Sequence, residues 1–259
     1  MSPPYPYQRL LAIGDIHGHL DELRELLHRV QPTEHDRVVF LGDYIDRGPD
    51  SRGVLDELIW FAERFPQTIF LRGNHEQMFL DAVLWDEIEA LRQRNDLPTK
   101  TWRSGWNELE QRADYFHLEV SALKRIWWME GGQQTTVSFA GDLANVRPVH
   151  RAFLNETRLF HEELIGGDGQ GYGPERAFLF VHGQIDTRLP PGLQHPLELM
   201  NARCSSEPPA TTLWTLVHGH TPRLDGPELK TNRINLDTGC HYGGRLTCCD
   251  VLSRRIWQV

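Results

Sequence analysis

Three polar turns, each placed after a short apolar run, recur in the first third of the chain at Asp15, Asp43 and Asn74, spaced 28 and 31 residues apart. The runs cover residues 10–13, 38–41 and 68–71, and the spacing is that of strand–helix–strand units of about 30 residues. Between them, Leu20–Val30 places Leu23, Leu26, Leu27 and Val30 on one helical face, and Ser51–Arg64 does the same with Val54, Leu55, Leu58 and Phe61. Parallel strands joined by such helices bring their polar turns together at the carboxyl ends of the strands, where ligand crevices form. The fold class is therefore α/β from the outset.

Strand character returns at residues 178–181, 213–217, 233–236 and 246–251 with less helix between, which predicts a more antiparallel or mixed sheet in the second half. Residues from about 78 to 130 are rich in Leu, Trp, Glu and Arg and broken at Pro98, reading as a helical insertion. Its tryptophans, Trp85, Trp102, Trp106, Trp127 and Trp128, are expected to pack its core. The stretch Gly166–Pro174 is a loop by composition, with Asp168 in a solvated turn. We place the insertion at roughly 78–175 within a single domain of 1–259.

The chain carries 27 Lys+Arg against 36 Asp+Glu, a net charge of −9, and lacks the basic footprint that binding to nucleic acid needs. No apolar run approaches the ~18 residues of a membrane span, so no membrane partner is expected. The first residues have neither a basic nor an apolar leader segment. Four cysteines, Cys204, Cys240, Cys248 and Cys249, show no CxxC spacing, which fits a reducing cytoplasm better than a disulfide framework or zinc finger. Cys248 and Cys249 read as buried strand.

The first turn, Gly14-Asp15-Ile16-His17-Gly18, sets a carboxylate and an imidazole two residues apart. The second, Gly42-Asp43-Tyr44-Ile45-Asp46-Arg47-Gly48-Pro49-Asp50-Ser51, adds two carboxylates and an arginine, and the third, Arg72-Gly73-Asn74-His75-Glu76, an arginine, an amide and an imidazole. Two later strands end in Val181-His182-Gly183 and Val217-His218-Gly219-His220-Thr221-Pro222. Hard carboxylate oxygen combined with imidazole nitrogen, without thiolate, is a donor set for a catalytic divalent transition metal.

These five motifs resemble those of the calcineurin-like metallophosphoesterases, and the spellings DRGPDS and RGNHE resemble the phosphoprotein phosphatase branch, in its compact bacterial and bacteriophage serine/threonine phosphatase form. The tail from Leu236 to Thr247, DTGC…GG…LT, resembles both that branch and the related symmetrical diadenosine tetraphosphatases. The resemblance implies a four-layer sandwich of two central mixed β-sheets flanked by helices. It implies two divalent transition metal ions, manganese first, with iron or zinc compatible. Asp15 and His17 would hold one ion, Asp43 would bridge, and Asn74, His182 and His220 would complete the second. A hydroxide shared by the ions would attack phosphorus directly. His75 would protonate the leaving oxygen, oriented by Asp46, while Arg47, Arg72 and Arg203 would bind the phosphoryl oxygens. His218 and His19 would support the site from behind, and Tyr242 and His241 would face it from the last loop.

The implied function is a metal-dependent phosphomonoesterase acting on phosphoserine or phosphothreonine, with a phosphoprotein or small phosphoester as partner. The alternative is a dinucleoside polyphosphate hydrolase using the same metals. Those enzymes tend to spell the second and third motifs ARGP and GNHD, where this chain has Asp46 and Glu76.

Overall fold

The computed structural model describes residues 7–94, 100–166, 176–204, 207–209, 212 and 214–259. Asp168 and the side chain of Trp102 lie outside the described residues. Strand β1 (Arg9–Ile13) leads through α1 (Leu20–Val30) to β2 (Asp36–Phe40), and α2 (Ser51–Arg64) leads to β3 (Ile69–Phe70). Five helices follow: α3 (Asn74–Gln93), α4 (Lys100–Tyr115), α5 (Val120–Trp127), α6 (Gln133–Ser138) and α7 (Pro148–Asn155). The chain then forms β4 (Phe160–Ile165), β5 (Arg176–Val181), α8 (Pro196–Asn201), β6 (Trp214–His218), β7 (Glu228–Leu229), β8 (Arg233–Asn235), β9 (Thr247–Asp250) and β10 (Arg255–Gln258).

Two five-stranded sheets result, ordered β10-β9-β1-β2-β3 and β4-β5-β6-β8-β7. Both are mixed, because β1, β2 and β3 run parallel while β9 returns antiparallel onto β1. In the second sheet β5, β6 and β8 are parallel, with β4 and β7 antiparallel at the edges. Side-chain alternation along β1 explains how the layers stack. Leu10 and Ala12 meet Phe178, Phe180, Val217 and Ile234 between the sheets, whereas Leu11 and Ile13 turn to Leu23, Leu26, Leu55 and Leu58 of α1 and α2. A third cluster, Leu179, Val181, Leu199 and Leu216, seats α8 on the outer face of the second sheet. The expected sandwich flanked by helices is thus present.

The helices α3–α7 fill the span between the sheets, and β4 already belongs to the second sheet although it lies inside residues 78–175. Ile88, Leu109, Ala113 and Leu123 form a separate small core among α3, α4 and α5. Trp85 and Trp106 stack at 5.9 Å beside it. Trp127 is fully buried, but Trp128 is 43% exposed and so is not a core residue.

Candidate metal centre and catalytic site

Because β1, β2 and β3 are parallel neighbours, their following turns lie side by side and are hydrogen-bonded to one another. The Asp43 carbonyl accepts from the backbone N–H of Ile16 (3.0 Å) and His17 (2.8 Å). The second sheet is joined at the same place, since His182 Nδ1 donates to the Leu41 carbonyl at 2.8 Å and Gly219 N–H to the His182 carbonyl at 3.0 Å. Five residues here, His17, Asp43, Asp46, Arg47 and His220, have positive φ, between 47° and 69°. Each such backbone costs roughly 1–3 kcal/mol and persists only where its surroundings dictate it. Gly73 cannot be replaced at this density, because a Cβ there would stand 2.0 Å from Asp43 Oδ1.

His17, Asp43 and His75 form one group of donor atoms within 4.8 Å of one another, and Asp43, His182 and His220 form a second. Asp43 is common to both: Oδ2 lies 3.5 Å from His17 Nε2 and Oδ1 lies 3.3 Å from His182 Nε2. His17 Nδ1 donates to the Ile45 carbonyl at 3.0 Å and His220 Nε2 to the Asn201 carbonyl at 3.0 Å, so each ring turns its other nitrogen to the cluster. Such backing hydrogen bonds are the usual means of orienting a metal-bound imidazole. Asn74 Oδ1 stands 3.2 Å from His182 Nε2. Asp15 is outside both groups of three but adjoins them, accepting the His220 backbone N–H at 3.1 Å.

The charges of the cluster are consistent with cations. Burial, reinforced by Asp237, raises the Asp15 carboxyl well above its ordinary range, and burial raises Asp237 to about 6. Burial also lowers His17 well below its usual value and His220 to about 4, keeping both rings neutral. Against burial, Asp43 pushes His182 up to about 10, and His182 and His75 hold Asp43 well below the ordinary carboxylate range. Mutually repelling buried carboxylates beside neutral imidazoles are what bound divalent ions would stabilise, with one ion displacing the His182 proton. The residues present therefore fit a metal pair.

His75 is buried and its Nδ1 lies 2.8 Å from Asp46 Oδ2. Its Nε2 has no hydrogen-bond partner among the described residues and stands 4.0 Å from Asp43 Oδ2. Burial lowers its affinity for a proton, yet Asp43 and Asp46 outweigh this and raise it. Arg47 reaches the same centre, with Nη1 3.1 Å from His17 Nε2 and 3.2 Å from His241 Nε2, and Nη2 donating to Glu130 Oε2 at 3.2 Å. His241 thus flanks Arg47 from the last loop, with the exposed Tyr242 ring 3.6 Å from the His241 ring. His218 is buried with Nδ1 on the Gly219 carbonyl, and His19 faces Glu22 at the rim.

Arg72, expected as a phosphate contact, has its guanidinium engaged elsewhere in this structure. Its guanidinium donates to Thr157 Oγ1, Gln77 Oε1 and the carbonyls of Leu154 and Asn155, all at 2.9–3.1 Å, and so ties α3 to the end of α7. Arg203 lies on the wall of a pocket of about 350 Å³ that opens from Arg47, Asn74 and His220 towards Met78, Asp81, Arg112, Leu123 and Ile126.

Three contributors escaped the sequence reading. Asp237 sits in the DTGC turn, buried among the ligands. Glu76 accepts the backbone N–H groups of Asp43 (2.8 Å), Tyr44 (2.8 Å) and Gly73 (2.9 Å), locking the second turn to the third. Trp127, expected only to pack, donates its indole N–H to Asp46. A glutamate three residues past the glycine that starts a helix was the available signal for Glu76; for Trp127 there was none.

Comparison with known proteins agrees with this geometry. The sequence pattern of the calcineurin-like phosphoesterase family matches residues 8–252. A symmetrical bis(5'-nucleosyl)-tetraphosphatase of Nitrosospira multiformis is 28% identical, over 96% of this chain and 95% of its own length. A Schizosaccharomyces pombe protein named as a serine/threonine-protein phosphatase is 30% identical over 49% of this chain and 40% of its own length. A solved structure assigned as a diadenosine tetraphosphatase superposes with a TM-score of 0.56 at 20% identity, covering 97% of this chain and 92% of its own.

Proposed function

This chain belongs to the calcineurin-like phosphoesterase family, and from that premise we propose that it is a phosphomonoesterase that removes phosphate from serine or threonine. The observation that carries the reading is the buried His75–Asp46 pair, 2.8 Å apart, with His75 Nε2 left without a partner among the described residues, beside the metal ligands. An alkoxide is a poor leaving group and needs a proton as the phosphorus–oxygen bond breaks. A phosphate leaving group, released from a polyphosphate, needs that proton far less. Two divalent ions held by Asp15, His17, Asp43, Asn74, His182 and His220 supply activation of water and neutralisation of phosphoryl charge when bound.

The remaining steps belong to the chain itself. Arg47 takes the phosphoryl oxygens, exchanging Glu130 for them, and Arg203 extends the cationic wall. Water adds to phosphorus, the bond to the serine or threonine oxygen breaks with its electron pair on that oxygen, and the His75 Nε2 proton goes to it. Manganese is the ion we expect, and the buried thiols of Cys240, Cys248 and Cys249 are in keeping with the cytoplasm as the site of action.

The second reading, hydrolysis of a dinucleoside polyphosphate, is favoured by the tetraphosphatase relative that aligns over nearly the whole chain and by the pocket beside the cluster, which has room for a nucleoside half. The test is a panel on chelator-stripped protein with manganese restored: p-nitrophenyl phosphate, a phosphothreonine peptide and diadenosine tetraphosphate. Phosphopeptide turnover lost in H75N while the aryl phosphate is still cleaved supports the first reading. Dinucleotide cleavage orders of magnitude faster than any phosphopeptide overturns it in favour of the second.

A further inference from the structure

We propose that Trp127 and Thr135 are positioning residues for proton transfer: they fix the Asp46 carboxylate, and through it the His75 ring, in the orientation that a poor leaving group requires. The inference rests on the phosphomonoesterase reading above, and it assigns to the helical span between the sheets a direct part in the chemistry.

Asp46 is fully buried, and both of its oxygens accept hydrogen bonds besides that of His75. Trp127 Nε1–H donates to Oδ1 at 3.1 Å and to Oδ2 at 3.0 Å, and Thr135 Oγ1–H donates to Oδ1 at 2.6 Å. The Thr135 oxygen in turn accepts the Asp46 backbone N–H at 3.0 Å and faces Ser51 Oγ at 2.8 Å, and Ser51 Oγ accepts the same N–H at 3.0 Å. A carboxylate torsion is soft in isolation. Here the indole and the hydroxyl fix it, leaving Oδ2 to His75. The backbone of Asp46, at φ 69°, is held by the same two hydroxyls.

The segment that carries these donors is itself constrained. After α5 the chain kinks at Gly131, whose φ of 109° lies outside the helical region, before α6 begins. Gly132 lies under the Trp127 ring, where a Cβ would come within 2.4 Å of it, and the Gly131 carbonyl accepts the Arg47 backbone N–H at 3.2 Å. One short stretch thus sets both the proton donor and the phosphate-binding arginine, while Leu123 and Ile126 of α5 line the adjacent pocket.

The test compares leaving groups in the full-length, manganese-loaded protein. W127F and T135V should each lower kcat for a phosphothreonine peptide by about tenfold, with KM within twofold, while kcat for p-nitrophenyl phosphate stays within about twofold; T135S should recover the peptide rate. Equal losses on both substrates, or a peptide kcat within twofold of wild type in both variants, would overturn the proposal. A reading independent of turnover is the indole N–H resonance of Trp127, assigned by its loss in W127F. It should shift when Asp46 is changed to Asn and stay put when the remote Arg24 is changed to Ala. An unshifted resonance in D46N removes the hydrogen bond on which the inference stands, whereas a shifted resonance in a protein that cleaves no phosphopeptide places the failure in the functional reading.

Discussion

Replacing Glu76 with Ala should separate the two turns that hold Asp43 and Asn74. The carboxylate is fully buried and accepts three backbone N–H groups, from Asp43, Tyr44 and Gly73, at 2.8–2.9 Å. Removing it takes the acceptor from three buried donors, at about 1–3 kcal/mol each. Set against this, burial and the nearby Asp43 raise the Glu76 carboxyl from 4.5 to about 7, so ionising it in place costs on the order of 3 kcal/mol near neutral pH. The net loss in E76A should therefore be about 3 kcal/mol, the middle of the range that these figures leave. Urea unfolding in chelator, so that metal binding does not enter, should show a midpoint lower by about 1 M or more for a slope near 2–3 kcal/mol per molar. Affinity for manganese, measured by calorimetry, should fall together with stability. A midpoint within about 0.3 M of wild type would refute the claim that this carboxylate ties the turns together.

Three further outcomes follow from particular contacts. R72A should lower stability by roughly 2 kcal/mol while leaving KM for p-nitrophenyl phosphate within twofold, because its guanidinium binds Thr157, Leu154 and Asn155 and not the metal cluster; a tenfold rise in KM with unchanged stability would restore it as a phosphate contact. Burial keeps His218 neutral down to about 4, whereas in the unfolded chain it charges near 6.5, so it contributes a loss of stability as pH falls through that window, about 3 kcal/mol at its acid end. Thermal melts of H218Q should show a shallower decline between pH 6.5 and 4, and an unchanged slope would count against the assignment. Cys240 and Cys249, pushed up to about 12 by burial, should resist iodoacetamide in the native protein and react only after denaturation; rapid native labelling read by mass spectrometry would contradict that burial.

Most of the candidate site was legible because it sits in turns after strands, where spacing alone brings Asp15, Asp43 and Asn74 together. The limits of α1 and α2 followed from helical periodicity, which their buried faces obey. The edge strands β4, β7 and β10 were not foreseen: their residues are partly exposed and alternate weakly, so pairing with a neighbour defines them more than composition does. The partners of Arg72 were not legible for a different reason. An arginine beside a catalytic motif is chemically suited to phosphate, and only the backbone carbonyls of α7, more than 80 residues away, show where it is used. Trp127 was hidden in the same way, since an indole signals burial in sequence while its single N–H acquires meaning only from Asp46, 81 positions earlier.

The place of β9 gives the fold an order of assembly. β1 lies inside the first sheet, with β2 on one side and β9 on the other, and the Thr247 carbonyl accepts the Gly14 N–H immediately before Asp15. A chain emerging from the ribosome therefore presents all five motifs, the last at His220, while β1 still has an open edge. Such an edge invites pairing with another chain until residues 247–258 arrive to cover it. Residues 247–258 complete the pairing of the first strand, and nascent chains stalled before residue 247 are where aggregation should begin.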